Sequence, residues 1–155
     1  MDYMAMLDHT SKCAARTMAD FMNPAVLLEA YARRAAWVVA QAERKLAAME
    51  QTLPFDKAWN KVGWEMIRAS DAHCYLLLVN SFYGAIQRIE TDTDLRTRQL
   101  AVPLTRCLVL FALHWMTEHA VDFISSGYLD AAQAEVVRDA VREVMDEGEK
   151  NPELN

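Results

Sequence analysis

Long stretches of this chain contain nothing that stops a helix. Only four glycines and four prolines interrupt its 155 residues, and the breaks that matter fall at Asn23-Pro24, Leu53-Pro54 and Ser126-Gly127. Between them Ala, Leu, Met, Glu and Arg dominate, all good helix formers. The hydrophobic fraction of 53% lies above the ordinary range. No β-type alternation, internal repeat or low-complexity block is visible. A chain of this length can bury a core as one domain without staples. The expected fold is therefore all-α: an antiparallel helical bundle of about five helices.

The helices can be laid out from periodicity and caps. Met4, Leu7, Ala14, Met18 and Phe21 have a roughly helical spacing, which predicts an N-terminal helical segment over 1–22. Asn23 as N-cap and Pro24 at the first helical position then open a long helix to about Glu50. Asp56 is placed to cap the third helix, whose CYLLLV run is apolar all round and predicts a central position. The fourth, from Leu95 to about Ser125, is apolar through LVLFALHWM; Pro103 should kink it or mark a first helical turn. Gly127 is a natural terminator and Asp130 opens the last helix. The helices from Asp56 and from Leu95 are the expected centre, the bundle occupies 23–147, and 148–155 is an expected frayed tail.

A net charge of −6 speaks against nucleic acid, because phosphate binding needs a basic face. Arg33-Arg34 and Arg44-Lys45, the only tight basic pairs, read as solvated helix faces. Three cysteines without CxxC spacing give no zinc framework; Cys74 and Cys107, inside apolar runs, read as buried thiols in a reducing compartment. The start, MDYMAMLDHTSK, has no secretory pattern, and the run Cys107–Leu113 is too short to span a bilayer. A soluble, intracellular protein is expected.

His73 and Cys74 are adjacent, but neighbours on a helix point about 100° apart and do not readily share a metal. A nucleophilic cysteine wants a lowered pKa, whereas apolar surroundings raise it. Cys74 is thus read as a packed thiol whose replacement by Ala alters stability, and His73 as a buried hydrogen-bonding group. His114 and His119 are five apart and diverge. Arg106 and Asp122 are the polar groups expected to be partly buried, and a buried charge needs a partner. The expected pairing is Arg68 or Arg106 with Asp71 or Asp122, the alternative being that these charges snorkel to solvent. The four tryptophans read as core or interface anchors. No phosphate cradle, nucleophile elbow or HExxH is present.

Four stretches in order carry a family resemblance: LLEAYARRAAWVV (Leu27–Val39), IRASDAHCY (Ile67–Tyr75), LTRCLVLFAL (Leu104–Leu113) and DFISSGYLDAAQ (Asp122–Gln133). Over about Pro24 to Met145 the chain resembles the C-terminal α-helical domain of peroxisomal acyl-CoA oxidases. The signature residues on these stretches are Arg68, Ser70, His73, Cys74, Arg106, Asp122, Phe123 and Gly127. The resemblance implies a flavoprotein context, in which FAD desaturates a fatty acyl-CoA and passes electrons to oxygen, with peroxisomal residence; mitochondrion and cytosol stay open. Departures are equally informative. No segment resembles the family's FEGEN-like base region or its flavin domain, Val121 stands where glycine is usual before Asp122-Phe123, and the chain stops at Asn155 without an SKL-type address.

The expectation is therefore a packing and dimer-shaping domain that binds no cofactor alone and does not catalyse alone, with FAD entering only through the family or a partner chain. Its protein partner would be a flavin domain, a homodimer mate or a larger assembly. The alternatives are a structural subunit without flavin and, more weakly, an acyl or acyl-CoA binding module.

Overall fold

Pro24 lacks a backbone N–H to lose, and the Asn23 side chain accepts from the Ala25 amide at 3.0 Å, so the chain turns into its first long helix at the expected place. In the computed structural model, which describes residues 3–4 and 12–150 and no side chains beyond 146, eight helices follow one another: α1 (Met18–Phe21), α2 (Pro24–Glu50), α3 (Phe55–Lys61), α4 (Gly63–Glu90), α5 (Leu95–Gln99), α6 (Ala101–Glu118), α7 (Ala120–Ser125) and α8 (Ala131–Lys150). Four are long, α2, α4, α6 and α8, and run antiparallel in turn. The described residues contain no strand, so the all-α expectation stands.

The extra helices come from breaks that periodicity did not mark. The third expected helix is two, divided at Val62, and it starts from Pro54 while Asp56 lies in the first turn without capping it. The fourth is three, divided at Leu100 and at His119. Pro103 sits in the first turn of α6, where its missing N–H costs nothing. Where it is described, the expected N-terminal helical segment is only partly helical. Of residues 12–22 only Met18–Phe21 are helical, started by a Thr17–Asp20 capping box, and Leu7 lies outside the described residues. Residues 12–16 have no regular secondary structure, and Gln133 holds them from the side. Its amide Nε2 donates to the carbonyls of Cys13 at 3.0 Å and Ala15 at 2.7 Å. The same Gln133 closes a reciprocal cap with Asp130, each side chain accepting from the other's backbone N–H, so α8 opens where expected. α8 runs through to Lys150; the rest of the expected frayed tail lies outside the described residues.

Burial falls differently from the apolar-run reading. α2 packs most extensively on α4, α6 packs on α8, α4 and α2, and no substantial contact joins α4 to α8 among the described residues. Burial marks α2 and α6 as the inner pair: eleven residues of α2 and six of α6 are buried, against four on the longer α4. Small side chains explain α2: Ala30, Ala32, Ala35, Ala36, Ala40 and Ala42 are all buried, and alanines let neighbouring backbones approach closely on several sides. α6 contributes Leu108, Val109, Ala112, Leu113 and Met116 to the core, and the Tyr31 hydroxyl donates to the Ala112 carbonyl at 2.8 Å across the α2–α6 contact. The stretch Leu95–Glu118 is, by length and composition, able to cross a membrane, a property the shorter run Cys107–Leu113 did not reveal. Here the stretch bends at Leu100, and its α6 part packs on α8, α4 and α2 with 33% of the apolar window buried.

α4 corrects the expectation most. Only Ala72, Leu76, Val79 and Ile86 are buried on it, and the CYLLLV run is half uncovered. Trp64, Ile67, Asp71, Cys74 and Leu78, spaced three and four apart, form one exposed row, with Trp64 at 68% and Ile67 at 60%. Cys74 and Cys107 are both exposed, not buried; the buried thiol is Cys13. An apolar run along a flanking helix shows its outer half to the outside, whatever its composition.

Candidate functional site

One acidic side chain ties together helices far apart in sequence. Asp122, on the short α7, is buried, and its Oδ2 accepts from Arg34 of α2 through Nε at 3.1 Å and Nη2 at 3.0 Å. Its Oδ1 accepts from Arg68 Nη2 of α4 at 2.5 Å. The expected pairing thus resolves to Arg68 with Asp122. Arg106 lies elsewhere, beside Met22, Thr105, Val109 and Val144 on the α8 side of α6. Asp71 is exposed on α4.

The second arginine was missed. Arg34 is 2% exposed and Arg33 is half-buried with its guanidinium 5.5 Å from the Tyr128 ring, so this pair is not a solvated face. A signal was present: positions 27, 31, 34 and 38 form one helical stripe with Leu27, Tyr31 and Val38, and Arg34 falls within it. The guanidinium of Arg34 lies 5.7 Å from the ring centres of both Tyr75 and Phe123, a cation–π setting that offsets part of its desolvation. Phe123 is fully buried and meets Tyr31 edge-on at 5.5 Å.

The remaining signature residues serve the frame. Gly127 adopts φ +74°, where a side chain is strained. Its amide donates to Ile124 O, and Leu129 N–H donates to Phe123 O. This closes α7 and turns the chain to α8. His73 is half-buried with Nδ1 3.0 Å from the Tyr3 hydroxyl, a hydrogen bond of the kind expected. Ser70 is exposed beside it.

Arg34, Arg68, Asp122 and His119 line a cleft of about 230 Å³ whose rim carries Trp64 and Val121, the latter 74% exposed. Burial first, and Arg34 second, push the His119 imidazole below its ordinary pKa, so it stays neutral near pH 7. It stacks on Trp115 at 5.9 Å and meets Tyr75 edge-on at 5.3 Å. Among the described residues no three His, Cys, Asp or Glu side chains converge as a metal site. The cleft offers hydrogen-bond donors and fixed charge; it shows no nucleophile paired with a base.

Residues 23–151 match the family model for acyl-CoA oxidase. The chain belongs to the acyl-CoA oxidase family. It is 31% identical over 146 residues to peroxisomal acyl-coenzyme A oxidase 2 of Oryctolagus cuniculus, covering 94% of this chain and 21% of that protein. It is 33% identical over 129 residues to peroxisomal acyl-coenzyme A oxidase 1 of Phascolarctos cinereus, covering 83% and 19%. Among solved structures, Arabidopsis thaliana acyl-CoA oxidase 1 superposes with a TM-score of 0.83 at 22% identity over 96% of this chain and 22% of that one. The tomato acyl-CoA oxidase superposes at 0.81 and 20% over 97% and 22%. The family resemblance in the sequence is thereby met, and the fold is that of a helical portion of these oxidases. The chain spans about a fifth of the length of the curated relatives it matches.

Proposed function

We propose that these residues form the C-terminal helical domain of an FAD-dependent acyl-CoA oxidase, a unit that packs against the flavin-binding body and does not catalyse by itself. The observation that carries this reading is the outward row of α4. Trp64, Ile67 and Leu78, with Val121 of α7 beside Trp64, are core-type residues left uncovered, in a chain that spans about a fifth of its relatives. Exposed apolar rows of this kind mark partner surfaces. A spacing of three and four residues suits a facing helix or sheet.

The flavin belongs to that body. FAD, when bound, supplies the hydride acceptor; the role of these residues is to hold the body in shape. Because the relatives are named peroxisomal, the same compartment is proposed here.

The test is a visible absorption spectrum of the native assembly purified through a tag on this chain, followed by peroxide formation on acyl-CoA. A flavin band that disappears together with the partner in Trp64→Glu or Ile67→Glu supports the reading. An intact assembly with a flat spectrum refutes it and leaves a scaffold subunit without flavin.

A further inference from the structure

Two guanidiniums share one carboxylate at the floor of the cleft. Arg34 and Arg68 both donate to Asp122, so the three side chains carry one positive charge more than they cancel. Arg34 is 98% enclosed, and its Nη1 meets no hydrogen-bond acceptor among the described residues. The rings of Tyr75 and Phe123 attract the cation but do not replace a charge-assisted hydrogen bond. His119 lines the same cleft, and its Nε2 is likewise buried without a partner among the described residues; a neutral imidazole can present a hydrogen there. Two buried donors without a partner among the described residues, beside the solvent-reaching guanidinium of Arg68, suit an anion.

The kind of anion follows from the other groups. Asp71 and Glu118 also line the cleft, but both are exposed, so solvent screens them from a ligand at the floor. They still disfavour a multiply charged ligand such as a phosphate dianion. A planar, singly charged acceptor matches the guanidinium forks, and Trp64 and Val121 at the rim suit an apolar stem behind it. We infer that the cleft between α2, α4 and α7 is a binding site for one carboxylate group, seated on Arg34 and Arg68 beside His119. That carboxylate is an Asp or Glu side chain of a docking polypeptide or a free short-chain acid, since both present the same chemistry. The inference does not depend on the oxidase reading.

The test is a titration of the full chain, labelled with ¹⁵N, by sodium acetate and by N-acetylglutamate α-amide, with sodium chloride at matched ionic strength as control. The side-chain Nε–H of Arg34 and the His119 ring are the reporters. The expected result is a saturable shift of both reporters by at least one carboxylate and not by chloride. Arg68→Gln should weaken binding roughly tenfold, as for loss of one charge-assisted hydrogen bond, and Asp71→Asn should tighten it. Because Arg68 is half exposed, the Gln variant should remain folded, which its melting curve checks. Saturation by acetate identifies a free acid as sufficient; saturation only by the peptide-flanked carboxylate identifies a polypeptide side chain. Linear shifts that match chloride for both carboxylates, or binding unchanged in Arg68→Gln, overturn the inference.

Discussion

Replacing Asp122 by Asn keeps the side chain's shape and removes its charge. What remains is Arg34, 2% exposed, with no carboxylate at its Nε and Nη2. Removing one partner of a buried ion pair costs about 3–5 kcal/mol, because the other charge is left uncompensated. Arg68 adds little to that figure. Its side chain is 39% exposed, so solvent screening holds its share to roughly 0–1 kcal/mol. The Asn oxygen can still accept from Arg34, which brings the expected loss to the lower end, about 3 kcal/mol. For a chain of this size each kcal/mol moves Tm by about 2–4 °C, so Asp122→Asn should melt roughly 6–12 °C below wild type. Urea unfolding followed by tryptophan fluorescence, with thermal circular dichroism, reads both quantities. Arg68→Gln is the control and should cost about 1 kcal/mol or less. Combining Arg34→Met with Asp122→Leu should recover most of the loss, since a packed apolar pair often equals a buried ionic one. An Asp122→Asn variant within about 1 kcal/mol of wild type, or an Arg68→Gln variant as damaged as it, would refute the burial argument.

Gly127→Ala should cost about 1–2 kcal/mol through its φ of +74° alone, because an added Cβ meets nothing within 4 Å; an unchanged urea midpoint would show that the turn relaxes freely. Cys74→Ala should change stability by less than about 0.5 kcal/mol, since the thiol is exposed and not packed as its apolar run suggested; a loss several times larger in the same urea experiment would contradict that placement. The pH dependence has a definite sign. Burial lowers the His119 pKa below 6.5, so the unfolded chain binds more protons there just below that pH, and stability falls as pH falls through the window. His119→Gln should flatten this part of the stability–pH curve, and a slope identical to wild type would assign the dependence to other groups.

Much of the local structure was legible because its causes are local. Asn23-Pro24, Gly127 and Asp130 work through their own backbone and their neighbours within a turn, and each sits where it was expected. Breaks at Val62 and His119 were not legible, since no proline marks them and Gly63 merely follows the first; the break at Leu100 was, because Pro103 marks the first turn of α6. The Arg68–Asp122 contact could be narrowed to four candidates from the rule that buried charges pair. Arg34 could have joined them, because its stripe with Leu27, Tyr31 and Val38 was readable, but the adjacent Arg33 made the pair look like a solvated face.

The order and type of the long helices, the family, and the need of Asp122 for a cation were determined by the sequence by itself, through periodicity, caps and charge. Only the tertiary structure decided which helices are inner. It put alanine-rich α2 inside and the more apolar α4 on the flank, leaving Trp64, Ile67, Cys74 and Leu78 uncovered. The physical reason is that burial belongs to pairs of surfaces: a side chain is covered when an opposing helix can come close enough, and small residues on the neighbour govern that as much as its own hydrophobicity.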